Sequence, residues 1–335
     1  MLFEKAKIRD LELKNRVIMA PMCMYKAQND GKVTPFHVEH YAARAAGGLG
    51  LILTEATAIS PDGRISDNDL GIWSDEQMEG LKNLTNRVHE YDCKIGIQIA
   101  HAGRKCECTQ IPLAPSAIKF SDDYNMPKSL SIEEIKGIKQ EFLDAIKRSV
   151  SAGFDMIELH AAHGYFINQM LSPFSNKRED IYGGSFENRN RFLLEVIKEA
   201  REFYDGVIFV RLSAVDYEDT GFSIEDCIAL SKELKKLDVD LIDVSTGGNS
   251  TNYTNKIYPG YQIEYAAQIK KEVNILTSAV GMIDTYELAK HTLNRGDTDF
   301  VLLGRELLRN PYWVVNNAKK YEDIDFMNSS YTRAY

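Results

Sequence analysis

Three side chains that can bind or transfer a proton follow one apolar segment near the middle of the chain. His160, His163 and Tyr165 come directly after Asp155–Leu159, which follows a helical segment and a glycine, as a short buried strand does. Because the carboxyl ends of parallel strands face the active site in α/β proteins, we expect these two imidazoles and this phenol to converge there. Such groups suit the binding and protonation of a carbonyl or nitro oxygen better than peptide or phosphate hydrolysis.

The elements that must position these side chains alternate along the whole chain. Apolar segments predict eight strands, at Val17–Ala20, Leu49–Thr54, Lys94–Ala100, Asp155–Leu159, Val207–Leu212, Asp240–Val244, Asn274–Thr277 and Asp299–Leu303. Amphipathic segments predict helices between them, at Pro35–Ala46, Asp75–Tyr91, Ile132–Ala152, Phe186–Tyr204, Ile224–Leu237, Gln262–Glu272, Thr285–Asn294 and Pro311–Tyr321. Ser131 and Ser223 each begin a helix with a capping box. This alternation predicts an α/β fold, a (β/α)8 TIM barrel with extended loops on its C-terminal face.

The length beyond a minimal barrel lies in three segments that follow strands three, four and six. They are predicted as loops at His101–Leu130, His163–Ser185 and Ser245–Pro259. A Rossmann fold is the alternative, but it requires Gly-x-Gly-x-x-Gly after the first strand, where this chain has Pro21–Tyr25. No linker or change of composition divides the chain, so we predict one domain over residues 1–335, with 321–335 as a C-terminal tail.

Composition and charge exclude several classes of partner. The chain has 335 residues, 44% hydrophobic and 27% charged, with a net charge of −9. This acidic balance argues against nucleic acid or an anionic membrane surface as a partner. The first residues lack the apolar core of a signal peptide, and no segment approaches the length of a membrane span. Five cysteines, an odd number, favour a reducing compartment, so we predict a cytoplasmic protein.

Metal and Schiff-base chemistry are the weaker interpretations of these residues. Cys106 and Cys108 are too closely spaced for a usual zinc knuckle and are predicted to be loop thiols. His160 and His163 could hold a metal in a lyase or hydrolase, although the Glu of a His-Glu-x-x-His motif is absent. Lys105 is the one lysine candidate for a Schiff base, and it lies in a loop beside an arginine.

Glycines and an arginine near the last two strand ends are typical of a phosphate site. Gly281 and Gly304 would let the backbone approach a ligand closely, and Arg305 would add charge-assisted hydrogen bonds. The alternative is that both glycines merely end strands.

Other strand ends carry polar or small side chains that suit a flat heterocycle. Arg211 ends an apolar strand and needs an anionic partner, which could be Asp216, Glu218 or a ligand that becomes negative. Ala56 leaves room for a ring, and Gln98 offers both a donor and an acceptor to the edge of a uracil-like ring.

Taken together, these motifs resemble the Old Yellow Enzyme family of FMN-dependent ene-reductases, in particular its short, thermophilic-like class that includes bacterial xenobiotic reductases. The resemblance covers almost the whole chain, through segments at Asn15–Tyr25, His101–Lys105, His160–Tyr165, Leu171–Arg178, Asp180–Arg189 and Gly304–Pro311. It implies an NAD(P)H-dependent oxidoreductase that reduces activated C=C bonds of α,β-unsaturated carbonyl compounds by ping-pong hydride transfer. The same site would suit nitro or quinone reduction.

The resemblance also implies roles for individual residues. The FMN contacts would be Pro21, Met22, Cys23, Ala56, Gln98, Arg211, Gly281, Gly304 and Arg305. His160 and His163 would hold the substrate oxygen, and Tyr165 would protonate the α-carbon. Cys23 would modulate the flavin, and Tyr25 would donate a hydrogen bond to the substrate.

Further implications of the resemblance concern the tail and the partners. Arg333 resembles the terminal arginine finger of this class, which enters the site of a neighbouring subunit, so a homodimer or homotetramer is expected. Longer relatives carry an iron–sulfur cluster after the barrel. No cysteine follows Cys227, so we expect no cluster and direct reduction of FMN by NADPH or NADH.

Overall fold

Eight parallel strands form a closed barrel in the computed structural model, which describes residues 1–251 and 257–334. The barrel strands are β1 (Val17–Met19), β2 (Leu51–Ala58), β3 (Lys94–Ala100), β4 (Met156–Ala161), β5 (Val207–Ser213), β6 (Leu241–Ser245), β7 (Leu276–Ala279) and β8 (Phe300–Leu303). Each strand pairs in parallel with the next in sequence, and β8 pairs with β1 to close the sheet. The predicted TIM barrel is confirmed.

Helices cover the outside of the barrel. They are α1 (Pro35–Ala46), α2 (Met78–His89), α3 (Ile132–Ser151), α4 (Phe166–Leu171), α5 (Phe186–Arg201), α6 (Ile224–Lys236), α7 (Ile263–Val273), α8 (Tyr286–Asn294), α9 (Arg305–Arg309) and α10 (Trp313–Glu322). Both predicted capping boxes form, at Ser131 and Ser223. Among these helices, none combines the length and apolar character that a bilayer span requires.

Two boundaries differ from the prediction in ways that matter for the site. β4 runs on to Ala161, so His160 lies inside the strand rather than after it. The segment His163–Ser185, predicted as a loop, contains α4. Its six residues are all buried, because they pack between the end of β4 and α5 rather than facing solvent on one side.

Short pairs of strands complete the fold at both ends of the barrel. A hairpin of Ala6–Ile8 and Leu11–Leu13 packs its apolar side chains into the same buried cluster as Phe209 and Phe300, and so fills the amino-terminal end. On the other face, Leu113–Ala114 pairs with Lys128–Ser129, and Leu70–Gly71 extends from β2. The hairpin therefore closes the amino-terminal end of the barrel. The mouth at the carboxyl ends of the strands, which carries the other short strands, is left for ligands.

Candidate active site

Alternation along β4 turns Glu158 and His160 to the inside of the barrel, near its mouth. The His160 ring lies 5.1 Å from the ring of His163 and 5.0 Å from that of Tyr165, both in edge-to-face contact. His160 is buried, and its Nδ1 has no hydrogen-bond partner. The structure thus brings together the three proton-bearing side chains that the sequence placed at this strand end. The Nδ1 of His160 is left without a hydrogen-bond partner.

The backbone after β4 bends sharply against the loop after β6. His163 has a φ of 59°, and a Cβ on Gly248 would come within 2.7 Å of the His163 Cα. Lys105 Nζ joins the two loops by donating to the carbonyls of His163 at 3.0 Å and Gly248 at 3.3 Å. The ring of His163 is fixed by a 2.7 Å hydrogen bond between its Nε2 and Ser245 Oγ.

Burial sets the protonation state of these groups. It lowers the pKa of His160 and of His163 well below the usual value, and the positive charges of Arg211 and Lys105 act in the same direction. Burial also raises the pKa of Tyr165 well above its usual value. At neutral pH the site therefore contains two neutral imidazoles and a phenol that keeps its proton.

The loop after β1 brings Cys23 and Tyr25 to the same mouth, close enough to influence the pKa of the Tyr165 hydroxyl. The Cys23 thiol contacts the backbone of Ala56 and the hydroxyl of Tyr25. Burial raises the pKa of Cys23 far above its usual value, so the thiol stays protonated. Tyr25 is half exposed and has a positive φ of 53°, and burial raises the pKa of its hydroxyl to about 12.

A buried carboxyl group supports this loop from below. Glu55 Oε2 accepts the backbone N–H of Met24 at 2.9 Å, and Glu55 Oε1 accepts the Tyr41 hydroxyl at 3.1 Å. An irregularity in β2 between Leu53 and Ala56 makes room for this arrangement and returns Ala56 to register with Gln98. Burial raises the pKa of Glu55 to about 7.

Polar side chains from four strands form one layer inside the barrel. Gln98 Nε2 donates to Glu158 Oε2 at 2.7 Å, and Arg211 Nε lies 3.1 Å from Asp243 Oδ2. Neither Asp216 nor Glu218, two of the three partners that the sequence left open for Arg211, pairs with it. Asp243, on the strand next to Arg211 and in register with it, is the partner, while Asp216 accepts from Ser172 and Phe222.

The glycines and arginine predicted as a phosphate site lie around one cavity. Its lining includes Gly281, Gly304, Arg305 and also Arg211, and its volume is about 180 Å³. Gly281 has a φ of 117°, and a Cβ there would approach Gln262 Nε2 to 2.8 Å. Arg305 is exposed and follows Gly304 directly at the start of α9.

The remaining predicted residues lie at the end of β1 and in the tail. Pro21 and Met22 are half-buried at the end of β1. Arg333 is exposed in the terminal turn Ser329–Ala334, and Tyr335 is outside the described residues, as are residues 252–256 of the loop after β6.

The thiols of Cys106 and Cys108 are hydrogen-bonded to each other and are free of disulfides. In residues 1–251 and 257–334, no group of three or more His, Cys, Asp or Glu could hold a metal ion.

Comparison with known proteins identifies the class to which this barrel belongs. Its fold matches an old yellow enzyme homologue from Zymomonas mobilis, with a TM-score of 0.83 and 29% identity over 96% of this chain and 92% of that one. The model of the NADH:flavin oxidoreductase / NADH oxidase family matches residues 1–323. The chain belongs to this family.

Two relatives extend over nearly the whole chain. It is 50% identical to the NADPH dehydrogenase of Bacillus subtilis (strain 168), over 95% of this chain and 94% of that protein. It is 48% identical to the NADPH dehydrogenase of Geobacillus sp. (strain WCH70), over 100% and 98% respectively. The protein is therefore an NAD(P)H-dependent flavin oxidoreductase with FMN as its cofactor, and this membership replaces the metal-dependent alternative.

The residues at the mouth fit FMN. Gly281 has a backbone that a side chain would obstruct, and it borders a cavity that Arg305 also lines, as a phosphate ester requires. Arg211 supplies a buried cation where a ring that gains negative charge would lie. Ala56, opposite Gln98, is small enough to leave space for a flat ring system.

Sequence reasoning missed several residues that organise the site. Asp243 lies inside a segment predicted as an apolar strand, and Glu55 and Ser245 stand at predicted strand ends with no role assigned to them. Lys105 was considered as a Schiff-base lysine, whereas it joins two loops. A charged residue inside an otherwise apolar segment is the signal that could have identified Glu55 and Asp243.

Proposed function

We propose that this protein reduces activated C=C bonds of α,β-unsaturated carbonyl compounds. The observation that carries the proposal is the unpartnered Nδ1 of His160 beside His163 and the protonated Tyr165 at the mouth of a flavin-family barrel. A neutral imidazole can donate a hydrogen bond to a carbonyl oxygen without adding a positive charge to the site.

A set of residues around the mouth would hold FMN. The contacts we propose are Pro21, Met22, Cys23, Ala56, Gln98, Arg211, Gly281, Gly304 and Arg305. Arg211 and Gln98 would face the pyrimidine edge of the ring, and Gly281, Gly304 and Arg305 would face the phosphate. When bound, FMN supplies a centre that accepts a hydride from NAD(P)H and passes one to the β-carbon of the substrate.

The protein's own side chains then bind and protonate the substrate. His160 donates to the substrate oxygen through a ring N–H. His163 does so through Nδ1 once the Ser245 hydroxyl, which here donates to Gln262 Oε1, turns and donates to His163 Nε2. Two such donors polarise the alkene and stabilise the negative charge that develops on the oxygen. Tyr165 keeps its proton until the α-carbon becomes basic and then transfers it there.

Cys23 and Tyr25 have supporting roles in this proposal. Because burial keeps the Cys23 thiol protonated, it acts as a modulator of the flavin rather than as a nucleophile. Tyr25, half exposed at the rim, donates a hydrogen bond to the substrate. NADPH or NADH and the substrate would occupy the same mouth in turn, which gives ping-pong kinetics.

We also infer the organisation of the whole protein. Residues 1–335 form one FMN-binding domain, and the tail at 321–335 brings Arg333 to the site of a neighbouring subunit in a homodimer or homotetramer. The five free cysteines support the prediction of a reducing, cytoplasmic location.

The visible spectrum of the purified protein tests this function. A flavin spectrum should bleach when NADPH or NADH is added without oxygen, and should return when cyclohexenone follows. A colourless protein that also fails to take up added FMN would overturn the proposal. Return of the spectrum with a quinone or a nitro compound, but not with cyclohexenone, would establish the alternative substrate class.

A further inference from the structure

Two carboxyl side chains lie inside the barrel in the layer that contains Gln98, and the mechanism above uses neither of them. Glu158 on β4 and Asp243 on β6 are both fully buried, on either side of Arg211 on β5. Two ionised carboxylates in this dry interior would repel each other, and one guanidinium cannot replace the hydration that both have lost.

The hydrogen bonds in this layer leave one oxygen of each carboxyl group without a donor. Gln98 Nε2 donates to Glu158 Oε2 at 2.7 Å, and Ser278 Oγ donates to Asp243 Oδ1 at 2.9 Å. Glu158 Oε1 and Asp243 Oδ2 remain, since Arg211 Nε lies near Asp243 Oδ2 without the alignment of a hydrogen bond. The two carboxyl groups are within hydrogen-bond reach of each other. One proton between the two remaining oxygens would satisfy both.

We propose that Glu158 carries this proton at neutral pH and shares it with Asp243 in a hydrogen bond in which Glu158 is the donor. Glu158 thereby acts as a positioning residue for the pyrimidine edge of the flavin. Asp243 is then the carboxylate that balances Arg211, and these three groups together have no net charge. Glu158 Oε2 remains an acceptor, which holds Gln98 Nε2 and leaves Gln98 Oε1 for a ring N–H. This inference rests on the flavin site proposed above.

The surroundings of Glu158 favour its neutral form. The groups that face it are Gln98 from β3, Arg211 from β5, Asp243 from β6 and His160 on its own strand. Burial and the charge of Asp243 raise the pKa of Glu158 well above its usual value, and the opposing effect of Arg211 is smaller. His160 is held neutral and adds no charge to the layer.

Infrared spectroscopy of the apoprotein tests the proton directly. At about pH 9, Glu55 and Glu141, whose pKa values are raised to about 7, are ionised. The carbonyl band of a protonated carboxyl, which shifts in D2O, should therefore persist in the wild type and disappear in Glu158→Gln. The matched control Glu141→Gln should keep it. Absence of the band in the wild type, or its persistence in Glu158→Gln, would overturn the proposal.

Flavin binding tests the positioning role. The measurement is the ratio of the Kd values for oxidised and reduced FMN, obtained from binding to apoprotein and from the flavin potential. Because Gln can donate to Asp243 and accept from Gln98, Glu158→Gln should change this ratio by less than about threefold. If Glu158 were ionised, the variant would remove a buried negative charge, and tighter binding of reduced FMN would raise the ratio by at least about tenfold, or about 30 mV.

A second variant separates positioning from general packing. Glu158→Leu fills a similar volume but leaves Gln98 Nε2 and Asp243 Oδ2 unpaired, so FMN binding should weaken by about tenfold or more. Wild-type affinity in this variant would contradict the role, and if it does not fold, the result for Glu158→Gln decides. The infrared measurement needs no flavin. If the protein binds no FMN, the proposed function is refuted, and the infrared band still tests whether Glu158 is protonated.

Discussion

Tyr165 is the side chain at the mouth that can give up a proton to carbon, because the neighbouring imidazoles are the groups that hold the oxygen. Tyr165 is half-buried with its ring 5.0 Å from that of His160, and the Lys105 ammonium lies 4.9 Å from the centre of its ring. A proton donor matters in the step that forms the product and not in the reduction of the flavin.

We therefore expect Tyr165→Phe to slow reoxidation by cyclohexenone by about 10²–10⁴-fold and to leave reduction by NAD(P)H nearly unchanged. Stopped-flow measurement of the two half-reactions checks this. Tyr182→Phe is the control, since that buried hydroxyl bonds to Glu195 on α5 and should leave both rates as in the wild type. Equal effects of Tyr165→Phe on both half-reactions would remove Tyr165 from the role of proton donor.

Substitution of Cys23 is expected to change the flavin potential rather than a proton transfer. Because its thiol stays protonated, Cys23→Ala should shift the flavin potential and keep turnover. A potentiometric titration and a steady-state assay of the same sample measure the two effects. Complete loss of activity with FMN still bound would mean that Cys23 is a nucleophile.

At the scale of elements, the site depends on how closely the loops after β4 and β6 approach each other. Gly248 has a φ of 89°, and its missing side chain allows the backbone of His163 to lie against it. Lys105, from the segment after β3, joins both loops, so three strand ends hold one histidine in place.

Gly248→Ala should therefore displace His163, lower the rate of alkene reduction and reduce the free energy of unfolding by about 1–3 kcal/mol. Gly184→Ala is a matched control, because Gly184 has a similar φ of 78° with no atom within 4 Å of the added Cβ. Urea unfolding and the half-reaction rates should separate the two variants. Similar behaviour of both would mean that backbone strain, not contact with His163, is the cause.

At the scale of the whole molecule, several histidines are buried in neutral form. Burial lowers the pKa to about 4 for His37 and His101 and to about 3 for His40, from 6.5. These histidines and His160 and His163 bind a proton more readily when the chain is unfolded. Buried carboxyl groups with a raised pKa, Glu55 and Glu141 at about 7, oppose this effect between pH 4.5 and 7 because they bind protons in the folded state.

Four further carboxyl groups, on Asp69, Glu158, Asp216 and Asp243, also have a raised pKa, so six such groups stand against five histidines with a lowered one. Because proton uptake by the two sets largely cancels, we expect the free energy of unfolding of the apoprotein to change by no more than about 2 kcal/mol per pH unit between about pH 6.5 and 4.5. Urea unfolding across this range measures the slope. A loss of stability several times steeper towards pH 4.5 would contradict it.

Subunit assembly gives the second prediction at this scale. If Arg333 enters the site of a neighbouring subunit, Arg333→Ala should raise the KM for the substrate and leave the wild-type fold intact. Arg295→Ala, which removes an exposed arginine paired with Asp297, is the control. Sedimentation should give a multiple of 37.9 kDa for the wild type. A wild type that sediments as a monomer, together with an unchanged KM in Arg333→Ala, would refute the role of Arg333 in a neighbouring site.

The order of strands and helices was predictable because each strand of a parallel barrel is buried on both faces and reads as an apolar run between amphipathic helices. The placement of Tyr165 and Arg305 beyond strand ends followed from that order. The buried helix α4 was missed, because a segment packed on all sides has no periodic apolar face.

The sequence by itself determined the barrel, the family and the chemical types at the mouth, since these depend on local pattern and on motif order. Tertiary structure alone decided which charges meet. Asp243 and not Asp216 faces Arg211, and Glu158 meets Gln98, because register between neighbouring strands sets these contacts across separations that no local pattern encodes. It also decided that His160 and His163 are neutral, because burial is a property of the assembled barrel and not of the residues that form it.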